Sequence, residues 1–236
     1  MNNFIPSELL YLPLDLPNPP KYFFDRLIND IDNDITHNNI IKTILEPSIN
    51  NGYFDTYRNS EIIHLCDRQG NFLPVINRYQ DNTDMEDWFK EIWQYFQPTR
   101  SAVTITFPGD TVPYHIDCSP TMFHTIQHKV RYIIRCDQKL DFGLNNNKTV
   151  SPPCPWVDAP FVFSGKWPHT LSNKSDKNVY IFTMGAPWEA KLHDEKYVEL
   201  LNKSYQKYKD VYMSMRNLEL PKHYFDYYEE KYKNNT

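Results

Sequence analysis

The chain has no CxxC pair. Its four cysteines, Cys66, Cys118, Cys136 and Cys154, stand far apart, so neither a zinc knuckle nor a dithiol redox motif is suggested, and free thiols in a reducing compartment are expected. Dense runs of Lys or Arg are also missing. With a net charge of −5 and a pI near 5.9, a nucleic-acid partner is disfavoured, because a sequence-independent grip on phosphates needs clustered cations. No apolar stretch approaches the length of a bilayer span, and the opening residues, MNNFIPSELLYLPLDLPNPP, lack a basic start followed by an apolar run. A signal peptide and a membrane partner are therefore not expected. The expectation is a cytoplasmic protein, a monomer or weak dimer.

What is present is globular. At 236 residues, 40% of them hydrophobic and 23% charged, the chain suits one substantial domain rather than a disordered one. Within it, residues 1–100 read as a helical and extended region packing on the core, 101–190 as a β core, and 191–236 as a C-terminal helix and tail.

Two amphipathic helices are expected in the first part. In PKYFFDRLINDI, Phe24, Leu27, Ile28 and Ile31 recur at helical spacing behind a proline suited to a first turn. In TDMEDWFKEIWQYFQP, Met85, Trp88, Phe89, Ile92, Trp93 and Phe96 make one bulky stripe, Thr83 and Glu86 a capping box, and Pro98 a stop. EIIHLC is a strand candidate between them. From Ala102 the period changes to two: Val103, Ile105 and Phe107 alternate with threonines, and PGD turns the chain into TVPYHIDC. HKVRYIIRC, LDFGL, FVFS, PHTLS and NVYIFTMG continue the series, and EKYVELLNKSYQKYKDVYMSM returns to helical spacing. Short strands with polar turns and flanking helices point to a mainly β fold, a double-stranded β-helix of the jelly-roll or cupin-like kind.

Within that pattern YHIDC carries chemistry. His115 and Asp117 are two apart on a strand, so they share a face, either as an ion pair or as two-thirds of a metal site. His169, in SGKWPHTLSN at the start of a late strand, is a third donor. Two histidines and one carboxylate form the facial triad of non-haem Fe(II) oxygenases, which leaves adjacent positions for a bidentate cosubstrate and O2.

The segments VPYHIDCSP, HKVRYIIR and WPHTLSNKSDKNVYIFTM resemble the aspartyl/asparaginyl β-hydroxylase-like branch of the Fe(II)/2-oxoglutarate dioxygenases, over roughly residues 102–188. The resemblance implies Fe(II), 2-oxoglutarate and O2, with the metal held by His115, Asp117 and His169. It also implies an amino-acid, peptide or protein substrate of Asp, Asn or Pro type, hydroxylated with release of succinate and CO2. Family members usually carry an Arg after the second His to hold the far carboxylate of 2-oxoglutarate, and here SDKNVY offers Lys177 but no Arg. Arg131 is the favoured anchor instead, Lys177 second and Arg135 third. Arg131 shares a face with Ile133 and Arg135, while Val130, Tyr132 and Ile134 form the greasier face that would pack on helices.

Other histidines read as bystanders. His124 and His128 are expected at the surface or pocket rim, and His64, His193 and His223 in solvent; Cys118 reads as a small packed hydrophobe. Two further functions stay open: a cupin-like metalloenzyme using no 2-oxoglutarate, and a jelly roll that binds a ligand without chemistry.

Overall fold

The period-two segments become strands of two antiparallel sheets. The computed structural model describes residues 9, 11–36, 54–56, 60–67, 70–73, 84–95, 101–115, 128–135, 140–144, 159–164, 169–184 and 195–216. Its strands are β1 (Tyr11–Pro13), β2 (Phe54–Thr56), β3 (Ser60–Cys66), β4 (Ser101–Thr106), β5 (Thr111–His115), β6 (His128–Arg135), β7 (Leu140–Leu144), β8 (Phe161–Ser164), β9 (His169–Asn173) and β10 (Val179–Met184). Its helices are α1 (Lys21–Thr36), α2 (Asp84–Trp93) and α3 (Glu195–Arg216). The larger sheet has the order β1-β8-β6-β10-β4-β3-β2 and the smaller β5-β9-β7. Together they make the jelly roll, with helices covering the outer face of the larger sheet.

Strands β1, β3, β4, β6, β8 and β10 of the larger sheet divide their described residues between two layers. Val103, Ile105, Val130, Tyr132, Val162, Tyr180 and Phe182 face outward into one core with Phe24, Leu27, Trp88, Phe89 and Ile92 of the helices. Phe182 sits at the centre, its ring 5.4 Å from Phe24, 5.7 Å from Trp88 and 6.0 Å from Phe89. Full burial of one such side chain stabilises by about 1.5–3 kcal/mol. The alternate residues, Phe161, Phe163, Val179 and Ile181, face the smaller sheet and pack with Val112 and Leu171.

The expected stripes are buried as read, except that Trp93, where α2 ends, is half-buried; Thr83 and Phe96 lie outside the described residues. Residues ahead of 100 do more than pack on the core. β1 pairs with β8, and β3 pairs with β4, so the N-terminal region supplies strands to the larger sheet itself. The segment after β1 is held by its backbone: Trp88 Nε1 and the Tyr132 hydroxyl both donate to the Pro17 carbonyl, at 3.2 and 3.3 Å. Among the described residues no helix is long and apolar enough to cross a membrane.

One end of the sandwich is closed by a polar hub. Pro108 and Gly109 turn β4 into β5, with Gly109 at φ 79 and the Asp110 N–H donating to the Phe107 carbonyl. Proline at the second position and a positive-φ glycine at the third are the requirements of a type II turn. Buried Asn173, at the end of β9, donates through Nδ2 to the Thr106 and Lys177 carbonyls at 2.9 and 2.8 Å. Its Oδ1 accepts from the Ser175 N–H and hydroxyl, and its own backbone bonds Gly109 and Asp110. A single amide thereby joins the β4–β5 turn to the β9–β10 turn.

Candidate active site

The opposite end of the smaller sheet holds the histidines. β5 and β9 pair as Thr111↔Ser172 and Val112↔Leu171, then slip by one residue so that His115 stands directly opposite His169. The slip spans Pro113, which has no N–H to give the ladder and is tolerated where pairing is interrupted. An unbroken alternation from Val112 would have put position 115 on the other face. With the bulge, Val112 and His115 both pair with residues of β9 that face the larger sheet. Directly opposed residues of an antiparallel pair share a face, with Cβ atoms about 4.5–5.5 Å apart.

His169 is 1% exposed. Leu144 of β7 flanks it on the other side in register, and the Phe163 ring of β8 meets it edge-on at 4.8 Å between centroids. The same Phe163 ring carries the Arg131 guanidinium, 4.8 Å from its centroid. An inward residue of the larger sheet therefore touches both the buried histidine and the favoured cation. Arg131 is half-buried, and its neighbour Thr183 on β10 stands opposite Ala102 on β4. Small side chains thus lie beside Arg131 on the inward face.

Val130 and Tyr132 pack outward against the helices, as expected, while Ile133 and Arg131 lie on the inward face. The β6–β10 ladder shifts register between Tyr180 and Ile181, and Arg135 is described through its backbone, which pairs with Tyr180. Lys177 lies exposed in the β9–β10 turn, beside the Asn173 hub and at the end of β9 away from His169.

Two bystander expectations are corrected. His128 is not at a rim: it is the first residue of β6, fully buried, with Nδ1 2.7 Å from the Tyr197 hydroxyl of α3. Burial among the helices pushes the Tyr197 phenol up, so the hydroxyl keeps its proton. His64 is 6% exposed, not solvated; it lies on β3 opposite Ala102. Neither position shows in the local pattern, because a lone histidine's surroundings are set by which strands it pairs with. Phe163 was likewise read as a plain strand residue, and Lys129, inward on β6 across the ladder from Phe163, was passed over. The alternation that singled out Arg131 extends to Lys129 and could have found it.

Asp117 lies outside the described residues, and His115 is described through its backbone. His124, His193, His223, Cys118, Cys136 and Cys154 also lie outside them. Among the described residues no three His, Cys, Asp or Glu side chains converge. The donor set nevertheless fits a divalent ion of intermediate hardness. Two histidine backbone positions are in register, His169 is buried against an aromatic wall, and a carboxylate follows two residues after His115 in sequence. Cys66, buried on β3, is no candidate ligand or nucleophile, since burial pushes its thiol up to about 12.

No family model matches the chain, and no curated protein is similar to it. Among solved structures it is similar to a Pseudomonas putida prolyl-4-hydroxylase at 11% identity, covering 77% of this chain and 94% of that one with a TM-score of 0.46. It is also similar to a viral collagen prolyl hydroxylase from Paramecium Bursaria Chlorella virus-1, in complex with 2OG, at 14% identity, 78% and 98% coverage and a TM-score of 0.42. A 2OG-Fe(II) oxygenase family oxidoreductase from Burkholderia pseudomallei is similar at 12% identity, 57% and 71% coverage and a TM-score of 0.35. These values mark a distant likeness. The chemistry of the site has to come from the chain's own residues.

Proposed function

We propose that the protein is an Fe(II)- and 2-oxoglutarate-dependent oxygenase. It hydroxylates an Asp-, Asn- or Pro-type residue in an amino acid, peptide or protein, in the manner of the aspartyl/asparaginyl β-hydroxylase-like branch. The observation that carries the reading is the direct register of His115 with His169, beside a phenylalanine that also bears Arg131. His115, Asp117 and His169 would hold the metal. Bound there with 2-oxoglutarate, iron would supply O2 activation coupled to oxidative decarboxylation of the cosubstrate to succinate and CO2.

The remaining roles belong to side chains. Arg131 presents a planar fork on the inward face, suited to the far carboxylate of a dicarboxylate. Phe163 holds that guanidinium and walls His169, keeping water from one side of the site. Thr183 and Ala102 leave the adjoining face uncrowded. The reading extends to a monomer or weak dimer in a reducing, cytoplasmic setting, on the spacing of the cysteines.

The test has two parts. Protein loaded anaerobically should retain one equivalent of Fe(II), and His115→Ala with Asp117→Ala should abolish retention while far-UV dichroism is kept. On admission of O2, the wild type should convert 2-oxoglutarate to succinate slowly even without a prime substrate. Iron retained in the double variant would overturn the ligand set. Iron binding without any succinate would move the protein to the cupin-like class.

A further inference from the structure

We propose that Thr170 is a positioning residue for the histidine pair: its hydroxyl pins the slip in the β5–β9 ladder that brings His115 opposite His169. The inference rests on the metal-site reading above and adds a residue outside the ligand set on which that site depends.

Thr170 stands at the slip. The ladder pairs Val112 with Leu171, and next His115 with His169. Between those pairs β5 has Pro113 and Tyr114, whereas β9 has Thr170 alone. Two residues against one is the count of a β-bulge. The Thr170 hydroxyl donates to the Val112 carbonyl at 2.6 Å, in a part-buried position, a normal length for a bond between two oxygens. This bond joins the last paired residue of β5 ahead of the slip to the residue of β9 next to His169.

The preceding rung shows what a regular register gives. Thr111 pairs with Ser172, and their hydroxyls lie 2.8 Å apart, side chain to side chain. Thr170 and Ser172 are two apart and share the face of β9 that lies opposite buried His169 and Leu171. An unbroken ladder would set Thr170 against Pro113, which offers neither a hydroxyl nor an N–H. In the slipped ladder the Thr170 hydroxyl meets the main chain of β5 instead. On its other side Thr170 pairs with Gly143 of β7, which brings no side chain to it. A β-branched residue is stiff at χ1, so aiming this hydroxyl at the carbonyl costs little entropy.

Register decides which residue faces His169. In the unbroken ladder that residue is Tyr114, and His115 turns to the other face of the sheet. A bond specific to the slip therefore favours the arrangement in which the two histidines are opposed. Metal affinity follows the fraction of molecules in that arrangement.

The experiment titrates Co(II), and separately Fe(II), into the full chain without O2 or 2-oxoglutarate, with the melting temperature measured alongside. Thr170→Val keeps the branched shape and removes the donor. It should weaken binding of both ions about 3- to 10-fold, the scale of one hydrogen bond. Thr170→Ala, which also lacks the hydroxyl, should lose at least as much, and Thr170→Ser should recover most of the affinity. Thr111→Val removes a hydroxyl from the same face of the same strand pair, away from the slip, and should leave metal affinity at the wild-type value. A threonine with only a structural role would lower the melting temperature of Thr170→Val and leave its metal affinity unchanged; that result overturns the inference. Equal losses of affinity in Thr111→Val and Thr170→Val, or no recovery in Thr170→Ser, also overturn it. A wild type that binds neither ion overturns the metal-site reading and this inference together. Absence of succinate formation in a wild type that binds iron touches the oxygenase reading alone.

Discussion

Replacing Arg131 by Met should weaken 2-oxoglutarate binding by about 10- to 150-fold, because a hydrogen bond to a charged group contributes about 1.5–3 kcal/mol and each 1.4 kcal/mol is tenfold. The structure sets where in that range the effect falls. The guanidinium is half-buried and lies 4.8 Å over the Phe163 ring, so the contact is partly desolvated and the upper half of the range is expected. Methionine keeps the apolar stem over the ring and loses the cation–π attraction, about 0.5–2 kcal/mol of stability. The fold should therefore survive with a lower melting point. The assay is calorimetric titration of 2-oxoglutarate into the Fe(II) protein without O2, with iron affinity measured alongside. Arg131→Lys should fall between wild type and Met, since it keeps the charge and loses the fork. Lys177→Met should change nothing, because that side chain is exposed at the far end of β9. If Arg131→Met binds 2-oxoglutarate as tightly as wild type, the assignment is wrong and the anchor must be sought among the other cations.

Asn173→Ala removes two Nδ2 donations and the acceptor for Ser175; the Lys177 carbonyl keeps the Ser175 hydroxyl as donor, so urea titration should show a loss of roughly 1–3 kcal/mol. Tyr197→Phe deletes the hydroxyl against His128 Nδ1 inside the helix-side core. It should cost about 1–3 kcal/mol in the same assay, with iron affinity unchanged. Lys203 and Lys207 hold the Asp15 carboxyl below its ordinary 3.8. A depressed folded value means the contribution is present above 3.8 and is lost as pH falls through the lower, folded one. Asp15→Asn should thus lower the melting point slightly at neutral pH, and the gap to wild type should close in strong acid.

Local patterns carried the elements, and long-range pairing supplied what they could not. The stripe Met85, Trp88, Phe89 and Ile92 and the alternation of Val103 and Ile105 are buried as read, because periodicity reports a single face against a single core. The Pro108–Gly109 turn was visible for the same reason: its dihedral requirements lie within its own residues. β1 was read as extended chain, since nothing in YLP names β8 as its partner. His64 and His128 were misplaced because burial of a lone polar residue depends on strands far away in sequence. The register shift between Tyr180 and Ile181 near Arg135 was not legible either, because it depends on the pairing of β6 with a strand far along the chain. Pairing of His115 with His169 needed the one-residue slip between Val112 and His115, which neither flanking motif declares.

That bulge also explains how one short strand serves two ends of the sandwich. Near the corner, β5 must follow the register imposed by the type II turn, which brings Val112 opposite Leu171 in the inter-sheet core. Farther along, a donor is wanted at position 115 opposite His169. The two demands have opposite parity: on an unbroken strand, positions 112 and 115 fall on different faces. A slip between Val112 and His115, a stretch holding a residue without an N–H, reconciles them with little loss of ladder bonding. Proline is thus the economical choice at 113. Restoring an N–H there, as in Pro113→Val, would allow the regular ladder to compete. In that ladder His115 leaves the face of His169, so iron retention should fall even though no ligand has been changed. Retention at the wild-type level in Pro113→Val would show that the turn and the rest of β5 hold the bulge without help from the proline.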